Sequence, residues 1–262
     1  YFTTDGTIPT TSDLTYEYPI VIDNSTVLRA RTFLDGWIPS DISTKTFLLD
    51  EDPPIGLPAI FISTDPNSFF DEDTGMYVMG PNADVWNFPY FGANFWEDWE
   101  RPIHFEILEV DGSGYAADAG AKIFGGWSRA FPQKSLSIFS RSYIGPSTFD
   151  YQLFPDSDID NYEAFVLRNS GNDWESTILR DGFITSLTEG LDIDHQRYRP
   201  ATLYINGEFW GIQNIREKVN EHFLSSNHSI SPENIDLLDI QGVNDENIVH
   251  GTNADYKILI NY

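Results

Sequence analysis

The stretch that decides the fold is Ala201-Thr-Leu-Tyr-Ile-Asn-Gly-Glu-Phe-Trp-Gly211, followed closely by Arg216-Glu217. Ala201 to Ile205 is β-branched and apolar, the composition of a buried strand. Asn206-Gly207 is a two-residue hairpin signal, because both residues tolerate the positive φ that the tight turn requires. The returning strand ends in the charged pair Arg216-Glu217, where the chain is expected to turn helical. A hairpin that feeds acidic and basic groups into a helix start is a candidate site.

Downstream of the hairpin, Lys218 to Ser225 predicts a short helix and Ser231-Pro232-Glu233-Asn234 a turn, with proline at a first-turn position. Upstream, Ala59 to Thr64 reads as a buried strand, and Asp65-Pro66 as the cap of a short helix through Phe70. Pro102 to Val110 and Ala121 to Phe124 read as strands joined by the turn Asp111-Gly-Ser-Gly114. Ser135 to Ser140 and Ala164 to Asn169 are further strands. Ser176 to Leu187 has helical spacing, with Ile178, Leu179, Phe183, Ile184 and Leu187 on one apolar face. Asn82 to Glu100 is rich in Trp and Phe without a period and reads as an ordered aromatic loop. The expected fold class is α+β and strand-dominated. A small β-sandwich module occupies residues 1–50 and a linker, stiffened by Pro53-Pro54, residues 51–56. A second domain runs over 57–262.

Of the 262 residues, 40% are hydrophobic and 15% aromatic, enough to build a core. The 41 acidic residues outnumber the 15 basic ones, for a net charge of -26. That balance argues against nucleic acid, whose phosphates need a basic stripe, and against anionic membrane surfaces. No apolar run is long enough to span a bilayer as a helix. The absence of cysteine excludes a disulfide scaffold and a thiolate metal site. Asp156-Ser-Asp-Ile-Asp160 with Glu163 has alternating oxygens like part of a calcium loop, but lacks its glycine and its terminal glutamate; a solvated acidic turn is the better reading, as for Asp71-Glu-Asp73. The histidines at 104, 195, 222, 228 and 250 show no zinc spacing, and no metal ligand is assigned. The chain begins at Tyr1 inside a strand pattern and ends at Tyr262 within an apolar pattern. It is expected to be a piece of a longer protein.

Gly125-Gly126-Trp127-Ser128-Arg129, followed by Gln133-Lys134-Ser135, would suit a phosphate: glycine N–H groups and two cations converge. The alternative is a glycine turn beside two surface cations. In a chain so poor in cations, Arg129 and Lys134 within a β segment are less readily taken as decoration. Leu167-Arg-Asn-Ser-Gly-Asn-Asp-Trp174 leads into Leu179-Arg180-Asp181, where Asn172 and Asp173 would cap the helix. Arg180 would face the pocket of Lys134, or lie on the surface. Glu217 would be a first-turn charge favoured by the helix dipole, or the partner of Lys134. The aromatic loop, with Trp86, Phe88, Phe91 and Trp96, would stack on sugars or pack in the core; packing is the better reading.

Taken together these segments resemble the spore-coat protein H (CotH) kinase family. Ser63-Thr-Asp-Pro66, Gly75-Met-Tyr-Val78, Trp99-Glu-Arg-Pro102, Gly171-Asn-Asp-Trp174 and Arg199-Pro200 add to the likeness, which covers about residues 57–262. Tyr1 to Thr10, Pro19-Ile20, Thr26 to Arg31 and Pro39-Ser40 resemble a chitobiase C-terminal-like module without its first strand. The resemblance implies a secreted, bacterial, cell-surface protein with a minimal kinase fold and ATP with magnesium as cofactor. Lys134 would match the nucleotide-phosphate lysine, Glu217 its ion-pair partner, and Arg129 and Arg180 supporting contacts. The family's catalytic aspartates are expected beyond Tyr262, so the chain alone is expected not to transfer phosphate to a protein. The other reading is a non-catalytic surface scaffold or adhesin, with glycan contact through the N-terminal module.

Overall fold

The computed structural model describes residues 1–49, 56–242 and 245–262; residues 51–55 of the expected linker lie outside them. In chain order the elements are β1 (Phe2–Thr3), β2 (Thr26–Ala30), β3 (Ser43–Phe47), β4 (Ala59–Ser63), α1 (Pro66–Phe70), β5 (Arg101–Leu108), β6 (Gly114–Phe124) and β7 (Ser135–Phe139). There follow β8 (Phe149–Asp150), β9 (Asn161–Tyr162), β10 (Ala164–Arg168), α2 (Arg180–Ser186), β11 (Tyr198–Ile205), β12 (Glu208–Glu217), α3 (Glu221–His228), β13 (Leu237–Gly242), β14 (Asp245–His250) and α4 (Ala254–Ile260). The strand-dominated α+β class is as the sequence predicts.

Seven strands close into a barrel in the order β10-β12-β11-β4-β5-β6-β7, with β7 pairing back onto β10. Side-chain alternation decides what fills it. Phe105 and Ile107 on β5 point inward with Ala117 and Ala119 on β6, Leu136 and Ile138 on β7, Phe165 and Leu167 on β10, and Ile215 on β12. The register sets large against small: Phe105 lies opposite Ala117 and Ile103 opposite Ala119. Phe105, Phe149 and Phe165 form an aromatic trio with centroids 5.0, 5.5 and 5.7 Å apart. The 66–100 segment covers the mouth at which β7 begins with Phe69, Met76, Tyr77 and Phe95, all buried. The aromatic loop thus splits: Phe95 is core, while Trp86 is 89% exposed.

The Asn206-Gly207 turn has φ of 50° and 85°, as a type I′ hairpin requires. Asn206 also accepts a hydrogen bond from the Thr64 N–H at 2.9 Å, which ties the hairpin to the end of β4. Residues 1–47 carry one three-stranded antiparallel sheet, β1-β2-β3, rather than the two layers of a sandwich. The module docks on the barrel through Glu106, a buried β5 carboxylate that accepts from the Thr46 N–H at 2.7 Å and pairs with Lys45.

Two helix expectations are corrected. Glu217 is the last residue of β12, not a helix start; its alternation turns it inward, and α3 begins at Glu221 behind an Asn220 cap. The apolar spacing over 176–187 yields only α2, whose buried residue is Gly182, pressed against Tyr198; Phe183, Ile184 and Leu187 are exposed.

Candidate functional site

The barrel has two mouths, and the register assigns the predicted site residues to different ones. Glu217 lies opposite Phe165, which lies opposite Ile138. Ile138 is four residues beyond Lys134, which places Glu217 and Lys134 roughly 13 Å apart along the strands. They are not partners. The Glu217 carboxylate accepts from the Arg197 backbone N–H at 2.9 Å and from its guanidinium at 2.7 Å.

Lys134 closes the opposite mouth from inside. It is 4% exposed, and its ammonium donates to the carbonyl oxygens of Arg129 and Phe131 at 2.8 and 2.9 Å. The ring centroids of Phe95 and Tyr77 lie 4.1 and 5.3 Å from it. Burial pushes its pKa down to about 8. Arg129 is likewise turned inward, donating to the carbonyls of Gly125 and Phe95 over the Trp96 ring. Lys134 and Arg129 therefore come together, but as struts that hold the 125–131 turn in shape. Arg180 stands apart on the surface, 64% exposed, with Asp173 at 3.2 Å. Of the two expected caps only Asp173 bonds to this segment: its carboxylate accepts from the hydroxyl of Thr177 and the N–H of Arg180, while the cap position of α2 itself is Leu179, which gives no side-chain cap.

On the outer side of the same turn is a cavity of about 210 Å³, lined by Gly125, Gly126, Trp127, Ser128, Ser135, Arg168 and Asn169 among others. Asn169, fully buried, shapes it. Its Nδ2 donates to the Gln133 carbonyl at 2.7 Å, its Oδ1 accepts from the Ser135 hydroxyl at 2.9 Å and from the Gly171 N–H at 3.0 Å. One side chain thereby stitches the glycine turn, β7 and the 169–174 segment together. Gly125 has φ of 106°, and a Cβ there would come within 2.8 Å of the Ser128 hydroxyl; a Cβ on Gly126 would meet nothing within 4 Å. Glycine at 125 is a conformational need, and at 126 it keeps the cavity open.

Arg168 supplies the charge. It is 35% exposed on its side chain, its Nε lies 3.1 Å from Asp181 Oδ2, and among the described residues its terminal nitrogens have no protein acceptor. Asp181 also pairs with Arg216, which is 1% exposed and whose pKa burial lowers. Two guanidiniums thus share one carboxylate. Arg168 was missed because alternation alone does not say that it flanks Ser135; only the β7–β10 register does.

Residues 121–258 match the family described as CotH kinase protein, and residues 1–47 the family described as Fn3 associated. The first match takes in more than half of the sequence, and the chain belongs to the CotH kinase protein family. It includes the glycine turn, Arg168, Asn169 and Glu217, but starts within β6, so β4 and β5 complete the barrel from outside the matched span. No curated protein matches the chain.

Proposed function

We propose that the chain carries the phosphate-binding side of an ATP-dependent protein kinase of the CotH family, in a secreted bacterial cell-surface protein. The observation that carries this reading is the cavity at Gly125–Ser128, with Arg168 at its wall, whose terminal nitrogens meet no protein acceptor among the described residues. Glycine turns and guanidinium forks suit phosphate oxygens. In this reading Arg168 holds phosphate, whereas Lys134 and Arg129 position the turn. Glu217 acts at the other mouth with Arg197.

Phosphoryl transfer to a protein hydroxyl also needs carboxylates that hold magnesium and orient the acceptor. Among the described residues no group of three histidine, aspartate or glutamate side chains is arranged to hold a metal ion. The expected result is ATP binding without autophosphorylation by the 262-residue chain; labelled phosphate incorporated from ATP would overturn the second half. Millimolar ATP is expected to raise the melting temperature, and Arg168→Gln and Gly126→Val to remove the shift. No shift in the unsubstituted chain would overturn the nucleotide reading.

The alternative is a surface scaffold or adhesin, and one observation favours it: Lys134 and Glu217, the pair a kinase would use, hold other partners at opposite mouths. In that reading the exposed Trp86 and Phe91 are surfaces for glycan. Retention on immobilised polysaccharide, lost in Trp86→Ala, together with no ATP effect, would select it.

A further inference from the structure

The apolar face encoded by the spacing over 176–187 exists in the structure, but the barrel does not use it. α2 rests on β11 through Gly182, where a Cβ would collide with the Tyr198 ring. Only glycine lets the helix backbone lie so close to that ring. The docking side of the helix is therefore its glycine side. Phe183, Ile184 and Leu187 point away and are each more than half exposed, as are Leu179 and Ile193 beside them. Between α2 and α3 the same surface dips into a groove of about 440 Å³, lined in part by Ile184, Ile193, Val219 and Leu224. A helical apolar period that no core absorbs marks a surface that packs on something else. The charges on this stripe are sorted by end. Arg180 precedes Phe183 and Ile184 by three and four residues, so it shares their face, and its side chain is exposed. The exposed acids Glu189 and Asp192 follow the other end of the helix.

We propose that this face joins two copies of the chain, with the two α2 helices packed antiparallel across a two-fold axis. The proposal is independent of the phosphate reading. A second copy is the occupant because the stripe complements itself. In an antiparallel crossing centred between Phe183 and Ile184, Arg180 of one copy falls opposite Leu187 of the other. That sets its guanidinium beside the acidic turn at Glu189 and Asp192 of the second copy. A two-fold contact repeats every interaction, so the same pairing recurs across the axis. Each helix also lays its positive end against the negative end of the other. Two chains of net charge -26 repel at a distance, so the apolar stripe has to carry the association. Salt screens that repulsion and therefore strengthens the dimer.

The test is sedimentation equilibrium of the 262-residue chain. At about 100 µM the mass of two chains is expected, and raising the salt from about 0.05 to about 0.5 M is expected to tighten the dimer at least about threefold. Phe183→Asp and Leu187→Asp are each expected to weaken it at least about tenfold. Trp86→Asp, at an exposed aromatic away from the stripe, is expected to leave it unchanged. Arg180→Glu and Glu189→Arg are each expected to weaken it about threefold, and the two together to recover the unsubstituted affinity. The mass of a single chain at both salt concentrations would overturn the proposal. So would a dimer that Phe183→Asp leaves intact, because the contact would then lie elsewhere. A charge swap that fails to recover affinity would overturn the antiparallel arrangement. All the substituted side chains are exposed, and matching circular dichroism spectra show that each variant is folded.

Discussion

The two mouths of the barrel are built from opposite chemistry. The glycine mouth gathers cations: Arg129 and Lys134 inside the turn and Arg168 on the cavity wall. The other mouth gathers carboxylates and histidines. Glu217 sits inside with Arg197, and Glu163 and Glu221 flank His222, with His250 next to Glu221. Burial raises the pKa of Glu163, while the adjacent His222 lowers it. The difference teaches that a lysine and a glutamate matched by a family's motif order need not meet. A barrel of antiparallel strands sorts them by register, and here it sends one to each end.

The largest expected effects come from cutting the main tie at each mouth. Asn169→Ala and Glu217→Ala should each cost about 3 kcal/mol in denaturant unfolding, since each strands several buried hydrogen-bonding groups. Only Asn169→Ala should also abolish stabilisation by ATP; equal loss in both would erase the functional distinction between the mouths.

Next is the pH response of Lys134. Its folded pKa of about 8 lies below the ordinary lysine value of 10.5, so the folded state binds that proton more weakly than the unfolded one. The penalty is full below pH 8 and is relieved as pH rises from 8 towards 10.5. Relative to Lys134→Met, the unsubstituted chain should gain about 2 kcal/mol between pH 8 and 10. A flat difference would mean that the amine is solvated.

Smaller still is the coupling between the mouths. In a double-mutant cycle, Lys134→Met and Glu217→Gln should add to within about 0.5 kcal/mol. A larger coupling would restore the kinase-type pair. The smallest expected change is that of Arg180→Ala, about 0.5 kcal/mol, because the Arg180 side chain is mostly in water and Asp173 keeps its bonds from the Thr177 hydroxyl and the backbone N–H of residue 180. It should leave ATP binding untouched.

Much of the fold was legible in the residues. Asn206-Gly207 predicted its hairpin, Asp65-Pro66 its cap and helix, and the apolar runs at 59–64, 135–140 and 164–169 their strands, each within a residue. Asp71 accepts from Asp73, Thr74 and the Thr74 hydroxyl, the local turn that its acidic neighbours suggested. The glycine turn was legible as a phosphate candidate because glycine and cation spacing are local properties. Arg168 was not, since it reaches the cavity only through the pairing of β10 with β7, strands distant in sequence.

Local chemistry, then, was determined by the sequence itself: where the chain turns, which segments are strands, which family its motifs follow, and that cations are scarce enough for each to matter. The tertiary structure alone decided which charges meet. Strand alternation turned Glu217 and Lys134 inward at opposite ends and Arg168 outward. The physical reason is that an ion pair needs contact within a few ångströms, and across a sheet that contact is set by register, which no short motif encodes.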